Sequence, residues 1–226
     1  MNLLLFDIDG TLLLSGGAGN RAMDRTFSFL YGVPGATEGR DFSGMTDPAI
    51  LRNLFLHFHR RDCTEEELKE MARAYLGFLK EEVQTSLNFR VLPGVVELLR
   101  HLSGRRDVLL GIATGNLRSG ARIKLRRAGL STCFRFGAYG SDSEDRPRIV
   151  ALAIERGKGL VGGGPNRHLS FVIGDTPLDI KAGKRAGALT IAVATGTKSL
   201  EELRRHRPTH LLRDFSQLQE FLRILS

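Results

Sequence analysis

Residues 2–11 read Asn-Leu-Leu-Leu-Phe-Asp-Ile-Asp-Gly-Thr, an apolar run of strand length that ends in two carboxylates. A run without polar alternation is typical of a strand buried on both faces of a parallel sheet. Asp7 and Asp9 are two positions apart, so on a regular strand both side chains would point to the same face. Gly10 then allows a sharp turn. The stretch therefore predicts a buried parallel strand with a pair of acids at its carboxyl end.

The second half of the chain repeats this pattern, because apolar runs of strand length alternate there with helical patterns. The strands and helices predicted there are, in chain order, 108–113, 117–128, 168–174, 178–186, 189–194, 199–206 and 215–225. Such alternation indicates an α/β fold, a Rossmann-like parallel sheet flanked by helices. A flexible turn is expected at 162–165, where three glycines precede a proline.

The segment between these regions has a different character. Residues 18–88 contain no convincing strand, whereas 46–58 and 64–83 have helical patterns, the second opening with a capping box of Thr64 and Glu67. Residues 15–91 carry a net charge of −1, and the rest of the chain carries +9. We therefore expect an inserted α-helical domain at 15–91 and an α/β core formed by 1–14 and 92–226.

Composition narrows the class of protein. The chain has 226 residues, a formal charge of +8 and a pI near 10.0, which admits phosphate, nucleic acid or anionic membrane as partners. No window reaches the ~20 apolar residues of a membrane span. The two cysteines, Cys63 and Cys133, form no metal-binding or disulfide pattern. We expect a cytoplasmic protein without a membrane partner.

Polar residues also follow two later strands. Thr114, Gly115 and Asn116 follow strand 108–113 and offer a hydroxyl and backbone N–H groups to an anion, although an ordinary turn and helix cap would read the same way. Asp175 ends another strand, and Asp179 lies in the first turn of the next helix, where it could simply be a cap. Because the carboxyl ends of parallel strands share one edge, the combination predicts a carboxylate-held Mg²⁺ beside a phosphate cradle.

These motifs resemble those of the haloacid dehalogenase-like (HAD) superfamily of hydrolases, and more narrowly its phosphoglycolate phosphatase-like branch with a helical cap. The resemblance rests on 7–11, 114–116, 174–179 and the glycine- and alanine-rich stretch 182–187. It covers residues 3–195 most clearly. It implies a phosphatase that uses Mg²⁺ and acts on a small phosphorylated metabolite.

The resemblance also implies a role for each motif residue. Asp7 would attack phosphorus and form an aspartyl-phosphate, and Asp9 would protonate the leaving alcohol and then help to activate water. Mg²⁺ would be held by Asp7, the backbone carbonyl of Asp9, and Asp175, with Asp179 supporting this shell. Thr114 and the nearby backbone N–H groups would bind phosphoryl oxygens.

The family further requires a cation between its second and last motifs, where Lys is usual. In this chain we assign that role to Arg146, which would bind phosphoryl oxygens with a bidentate fork instead of a point charge. Arg148 and Lys158 are rival candidates. A solvated charge at a helix start is the alternative explanation for Arg146.

The cap gives weaker signals. Arg40, Ser43 and Thr46 could contact the leaving group of the substrate, but a loop and helix cap before 46–58 would explain them equally well. The glycine-rich stretch 15–19 would be either a hinge that couples cap closure to water exclusion or a plain connecting loop.

Three functions remain to be distinguished. The first is a Mg²⁺-dependent phosphatase that hydrolyses a small phosphomonoester, phosphoglycolate-like or a sugar phosphate, through an aspartyl-phosphate. The second is a sugar-phosphate mutase, which would pass the same phosphoryl group to a sugar. The third is a basic nucleic-acid-binding protein that uses helix 117–128 and the basic run 204–207. We do not expect nucleic acid as a partner, because solvated helix faces explain both basic stretches.

Overall fold

The computed structural model describes residues 1–161 and 168–225, so the turn expected at 162–165 lies outside the described residues. The strands are β1 (Asn2–Phe6), β2 (Leu13–Leu14), β3 (Arg90–Val91), β4 (Val108–Ala113), β5 (Phe136–Ala138), β6 (Ser170–Gly174), β7 (Leu189–Val193) and β8 (His210–Leu212). The helices are α1 (Ala18–Tyr31), α2 (Asp47–His59), α3 (Glu65–Thr85), α4 (Val95–Ser103), α5 (Arg118–Arg127), α6 (Arg146–Val161), α7 (Pro177–Arg185), α8 (Leu200–Arg205) and α9 (Leu218–Ile224).

Six of these strands, all within the described residues, form one parallel sheet in the order β5-β4-β1-β6-β7-β8. The order runs outward in both directions from β1, as in a doubly wound sheet. Phe6 at the end of β1 pairs with Ile112 of β4 and with Ile173 of β6. The carboxyl ends of these three strands therefore lie side by side. The predicted α/β class is confirmed.

The apolar run of β1 is buried on both faces of the sheet. Leu4 and Phe6 belong to one hydrophobic cluster, which packs against α4, α5 and α9. Leu3 and Leu5 belong to another, which packs against α6 and α7. This division explains why the run shows no polar alternation, since neither face of a central parallel strand meets water.

Residues 13–91 leave the sheet and return to it through a short antiparallel pair. Leu13 of β2 pairs with Val91 of β3, and α1, α2 and α3 lie between the two strands along the chain. These helices share a separate hydrophobic cluster that includes Phe27, Phe55 and Leu79. The predicted helices 46–58 and 64–83 match α2 and α3, and the capping box of α3 is present.

Helix α1 was not predicted. Gly17 is its N-cap and adopts φ 79°, so the helix begins within the stretch 15–19, for which the sequence predicts a hinge or a connecting loop. Sequence analysis also assigned no element to α4, α6, β5 or β8. Within residues 1–161 and 168–225, none of the helices combines the length and hydropathy needed to cross a bilayer.

Candidate active site

Three strand ends bring the main predicted residues together. Asp7 follows β1, Thr114 follows β4 and Asp175 follows β6, and these strands are neighbours in the sheet. Asp7 and Asp175 line a cavity of about 560 Å³ between the sheet edge and the helices α1–α3. Asp7, Asp175 and Asp179 each offer a carboxylate oxygen, and these oxygens lie within 4.8 Å of one another.

Asp175 is buried against the backbone of two glycines, Gly10 and Gly196. A Cβ at Gly10 would lie 2.2 Å from Asp175 Oδ2, and one at Gly196 would lie 1.8 Å from it. Gly10 has φ 79°, which suits glycine, and it makes the sharp turn expected there. The hydroxyl of Thr11 donates a hydrogen bond to Asp175 Oδ1 at 3.1 Å. Burial, with the nearby charges of Asp179 and Asp7, raises the pKa of Asp175 well above its usual value.

Asp179 divides its carboxylate between a helix cap and a cation. Its Oδ2 accepts hydrogen bonds from the backbone N–H and the hydroxyl of Thr176. The bond from that N–H and the one from Asp179 N to Thr176 Oγ1 form a capping box at the start of α7. Its Oδ1 accepts a hydrogen bond from Arg146 Nη2. The capping explanation is therefore correct for Asp179, but the residue also belongs to the acidic cluster.

Arg146 is the cation of this cluster. It opens α6, is only 8% exposed, and places Nη1 3.5 Å from Asp7 Oδ1. The rival candidates Arg148 and Lys158 are exposed. A solvated charge at a helix start therefore does not describe Arg146, because its guanidinium lies among buried carboxylates.

Asp7 has an electrostatic environment that a cation would complete. Its Oδ1 is buried and has no hydrogen-bond partner among the described residues. Burial raises the pKa of Asp7 to about 6, although the positive charge of Arg146 offsets part of the effect. A carboxylate oxygen that accepts no hydrogen bond, beside two further carboxylates, is a donor set that suits a hard divalent cation. The residues present therefore fit a metal site.

The Thr114–Asn116 loop is more internally bonded than expected. Thr114 Oγ1 accepts hydrogen bonds from the backbone N–H and the side-chain amide of Asn116, at 3.3 and 3.1 Å. The same amide donates to Asp9 Oδ2 at 2.9 Å. Helix α5 begins only at Arg118. The N–H of Asn116 thus holds the loop together, which differs from the expected role at a helix start.

Lys124 is the residue that sequence analysis missed. The sequence predicts that it lies on a solvated face of helix 117–128, yet it is 3% exposed and lines the cavity. Its Nζ donates hydrogen bonds to Asp9 Oδ2 at 2.6 Å and to Asn116 Oδ1 at 2.5 Å. Burial opposes its charge, but the charges of Asp9 and Asp47 outweigh this and raise the pKa of Lys124. Lys124 and Arg146 are therefore both buried cations at the site.

The start of helix α2 packs against the Thr114–Asn116 loop. Asp47, the first residue of α2, donates its N–H to Gly115 O and accepts a hydrogen bond from Leu117 N through Oδ2, both at 2.8 Å. A Cβ at Gly115 would lie 2.4 Å from Met45 O, so only glycine allows this approach. Burial raises the pKa of Asp47 to about 6, partly offset by the charge of Lys124.

The three residues before α2 that were candidates for substrate contact lie in different environments. Arg40 and Ser43 line the cavity, and Ser43 Oγ lies 3.3 Å from Thr197 Oγ1 of the core. Thr46 lies outside the cavity: its hydroxyl caps α2 by accepting a hydrogen bond from Ala49 N. Its buried position supports the helix-cap explanation and not a substrate contact.

The chain also resembles known proteins in sequence. The family model described as haloacid dehalogenase-like hydrolase matches residues 4–193. The chain is 28% identical over 221 residues to the pyrophosphatase PpaX of Bacillus pumilus, covering 96% of this chain and 94% of that one. It is 26% identical to the probable phosphatase IndB of Dickeya dadantii, covering 96% and 91%.

Solved structures share the fold. A hydrolase from Pseudomonas syringae has a TM-score of 0.74 at 21% identity, with all of both chains covered. A predicted phosphoglycolate phosphatase from Haemophilus somnus has a TM-score of 0.72 at 20% identity, covering 98% of each chain. At these identities the likeness concerns the fold alone.

Proposed function

The chain belongs to the haloacid dehalogenase-like hydrolase family and is a phosphatase. We propose that it hydrolyses small phosphomonoesters, that it uses Mg²⁺, and that the reaction passes through an aspartyl-phosphate on Asp7. One observation carries the proposal. Asp7 is buried beside Arg146 at the floor of the cavity, and its Oδ1 has no hydrogen-bond partner among the described residues. Such an oxygen can meet a cation or a phosphorus atom without first breaking a hydrogen bond.

The metal site is proposed from the acidic cluster. Asp7, Asp175 and the backbone carbonyl of Asp9 would hold Mg²⁺, and Asp179 would support them through Arg146. When bound, the ion supplies positive charge to the transferring phosphoryl group. The positive charge would also stabilise the ionised carboxylates of Asp7 and Asp175, whose pKa values are raised by burial.

The chemistry of the chain itself follows in two steps. Asp7 attacks phosphorus while Asp9 gives a proton to the leaving alcohol oxygen. Asp9 then takes a proton from the water that attacks the aspartyl-phosphate, so both the nucleophile and the acid are restored. The hydroxyl of Thr114 and the backbone N–H of Gly115 would bind phosphoryl oxygens, whereas the N–H of Asn116 bonds Thr114 Oγ1.

Arg146 and Lys124 would stabilise different negative charges during the reaction. Arg146 is held by Asp179 and lies beside Asp7, so it would balance the nucleophile and its metal-binding neighbours. Lys124 lines the same cavity and donates hydrogen bonds to Asp9 and Asn116. We assign Lys124 to the charge that develops on the phosphoryl group, because no described carboxylate besides that of Asp9 makes an ion pair with it.

We propose that residues 15–91 act as the cap over a core of 1–14 and 92–226. The short β2–β3 pair is where the chain would cross between the two parts. A closed cap would exclude water during the first step and bring Arg40 and Ser43 to the leaving group. The free cysteines Cys63 and Cys133 support a cytoplasmic location.

A mutase remains the second candidate for this site, because transfer of the phosphoryl group from Asp7 to a sugar hydroxyl uses the same residues. The fold does not separate the two reactions, because a putative β-phosphoglucomutase from Bacteroides vulgatus shares it with a TM-score of 0.71 at 24% identity. A nucleic-acid-binding function has no comparable support, since the basic face of α5 includes the buried Lys124.

The test is a phosphate-release screen over phosphorylated metabolites and inorganic pyrophosphate, with Mg²⁺ and with a chelator. The panel includes phosphoglycolate and sugar phosphates, and Asp7→Asn is the matched control for contaminating activity. We expect Mg²⁺-dependent release from at least one small monoester and none from Asp7→Asn. Transfer to a sugar without release would favour the mutase. Folded protein that is inactive on the whole panel would contradict the proposal.

A further inference from the structure

A second large cavity lies along the edge strand β8, and it shares no lining residue with the catalytic cavity. It measures about 690 Å³ and runs between α8 and α9. Its basic walls are Arg204 from α8, Arg207 from the following turn, and Arg213 from the end of β8. Two of these belong to the basic run 204–207, to which the proposed phosphatase function gives no role.

The three arginines bring uncompensated charge to this cleft. Within residues 1–161 and 168–225, none of them forms an ion pair. Arg205, their neighbour in the run, differs because its Nη2 lies 2.8 Å from Glu201 Oε1. Asp214 and Glu220 also line the cleft, and Asp214 Oδ1 accepts a hydrogen bond from Ser216 N. The cleft therefore keeps an excess of one positive charge and three guanidinium groups free to bind.

Arg207 occupies a backbone conformation that disfavours its side chain. Its φ is 52°, and Arg60 is the only other non-glycine residue of the described chain with positive φ. Glycine or asparagine would adopt this conformation at lower cost. The N–H of Arg207 donates to Arg204 O at 2.9 Å, so the turn fixes the spacing of two cleft arginines.

We propose that this cleft binds a small organic anion that carries at least two phosphate groups, of the nucleoside diphosphate class. Guanidinium groups bind phosphate through paired N–H donors, and three of them match more than one phosphate. The apolar side chains of Leu200, Pro208 and Leu211 offer a surface for the organic part. The volume lies within the ~300–1,000 Å³ usual for small-molecule sites. The acids Asp214 and Glu220 would repel a long phosphodiester chain.

The site is independent of the phosphatase reaction, and its test keeps the two apart. Binding of ADP is measured by titration calorimetry on the whole protein at moderate salt. The variants are Arg204→Gln, Arg207→Gly and Arg213→Gln, with Arg205→Gln as the matched control. Because the two cavities share no lining residue, the difference in ADP affinity between wild type and these variants reports binding in the cleft and not in the catalytic cavity.

We expect each cleft variant to weaken ADP binding at least tenfold and to leave phosphatase activity unchanged, whereas Arg205→Gln binds like wild type. Arg207→Gly relieves the backbone conformation, so its Tm should match or exceed that of wild type. Inorganic phosphate should bind more weakly than ADP. Equal binding by all variants, an equal loss in Arg205→Gln, or tighter binding of a DNA oligonucleotide than of ADP would overturn the proposal.

Discussion

The ammonium group of Lys124 lies 2.6 Å from Asp9 Oδ2, although 115 residues separate them in the chain. Lys124 reaches this position because it shares the buried face of α5 with Gly120, Ala121 and Leu125. The core helix thus delivers a cation to the proposed acid, while α6 delivers Arg146 to the proposed nucleophile. Each of the two proposed catalytic carboxylates therefore lies beside a buried cation.

Replacement of Lys124 by Met tests the role of this cation. We expect Lys124→Met to lower kcat about 10²-fold or more, because the phosphoryl group loses one preorganised positive charge. Steady-state kinetics on the best substrate measure the effect. Arg126→Met is the control, since Arg126 is an exposed cation on the same helix. Activity of Lys124→Met within twofold of wild type, with the fold intact by circular dichroism, would contradict the role.

Replacement of Asp175 tests the metal site. Asp175→Asn removes one of the three clustered carboxylates. We expect the Mg²⁺ concentration for half-maximal activity to rise about tenfold or more, because the cation loses a charged ligand. Asp145→Asn, at an exposed acid before α6, should leave the Mg²⁺ dependence unchanged. The metal assignment fails if both variants titrate with Mg²⁺ alike.

The close contact between the helical insertion and the phosphate loop is tested at Gly115. Gly115→Ala would place a Cβ 2.4 Å from Met45 O, so residues 42–47 must move away. We expect a raised KM and a loss of about 1–3 kcal/mol in the free energy of unfolding. Gly159→Ala is the matched control, because a Cβ there meets nothing within 4 Å and α6 should gain about 0.5–1 kcal/mol. Equal KM values for the two variants would show that the contact between Gly115 and Met45 has no role in substrate binding.

The buried carboxyl of Asp47 predicts a pH dependence of stability. Burial raises its pKa in the folded protein from 3.8 to about 6, so between these values the folded state holds a proton that the unfolded state has released. The free energy of unfolding therefore falls as pH rises from about 4 to about 6, and Asp47 contributes up to roughly 3 kcal/mol to that fall.

Asp47→Asn should remove this contribution, since the amide oxygen can still accept the hydrogen bond from Leu117 N. Denaturant unfolding at pH 4.5 and pH 7 measures it. We expect a smaller difference between the two pH values in Asp47→Asn than in wild type. Asp62→Asn, at an exposed acid, should keep the wild-type difference. A wild-type difference in Asp47→Asn would show that another group causes the fall.

Much of the core followed from sequence because local patterns and one topological rule determine it. Continuous apolar runs marked β1, β4 and β6, and the rule that parallel strands share one carboxyl edge brought Asp7, Thr114 and Asp175 together. Helix α1 was missed because glycines at 16, 17 and 19 suggested a loop. Its buried stripe of Ala18, Ala22 and Phe27 becomes visible only if Gly17 is accepted as a left-handed N-cap.

The site was less predictable because its charges are neutralised by distant residues. Lys124 lies on the apolar stripe of α5, and this position was the available signal that it is buried. Its partner Asp9 could not be identified from sequence, since the contact depends on how α5 packs against the sheet. Thr46 is the opposite case, because it was a candidate for substrate contact and its hydroxyl instead caps helix α2.

The central claim is that Asp7 carries the phosphoryl group. The most direct measurement is mass spectrometry of peptides from a reaction that is quenched in acid during turnover. The account predicts a phosphorylated peptide that contains Asp7, absent from Asp7→Asn and decaying once substrate is exhausted. Hydrolysis at the wild-type rate by Asp7→Asn, or a phosphoryl group carried by a different residue, would contradict it.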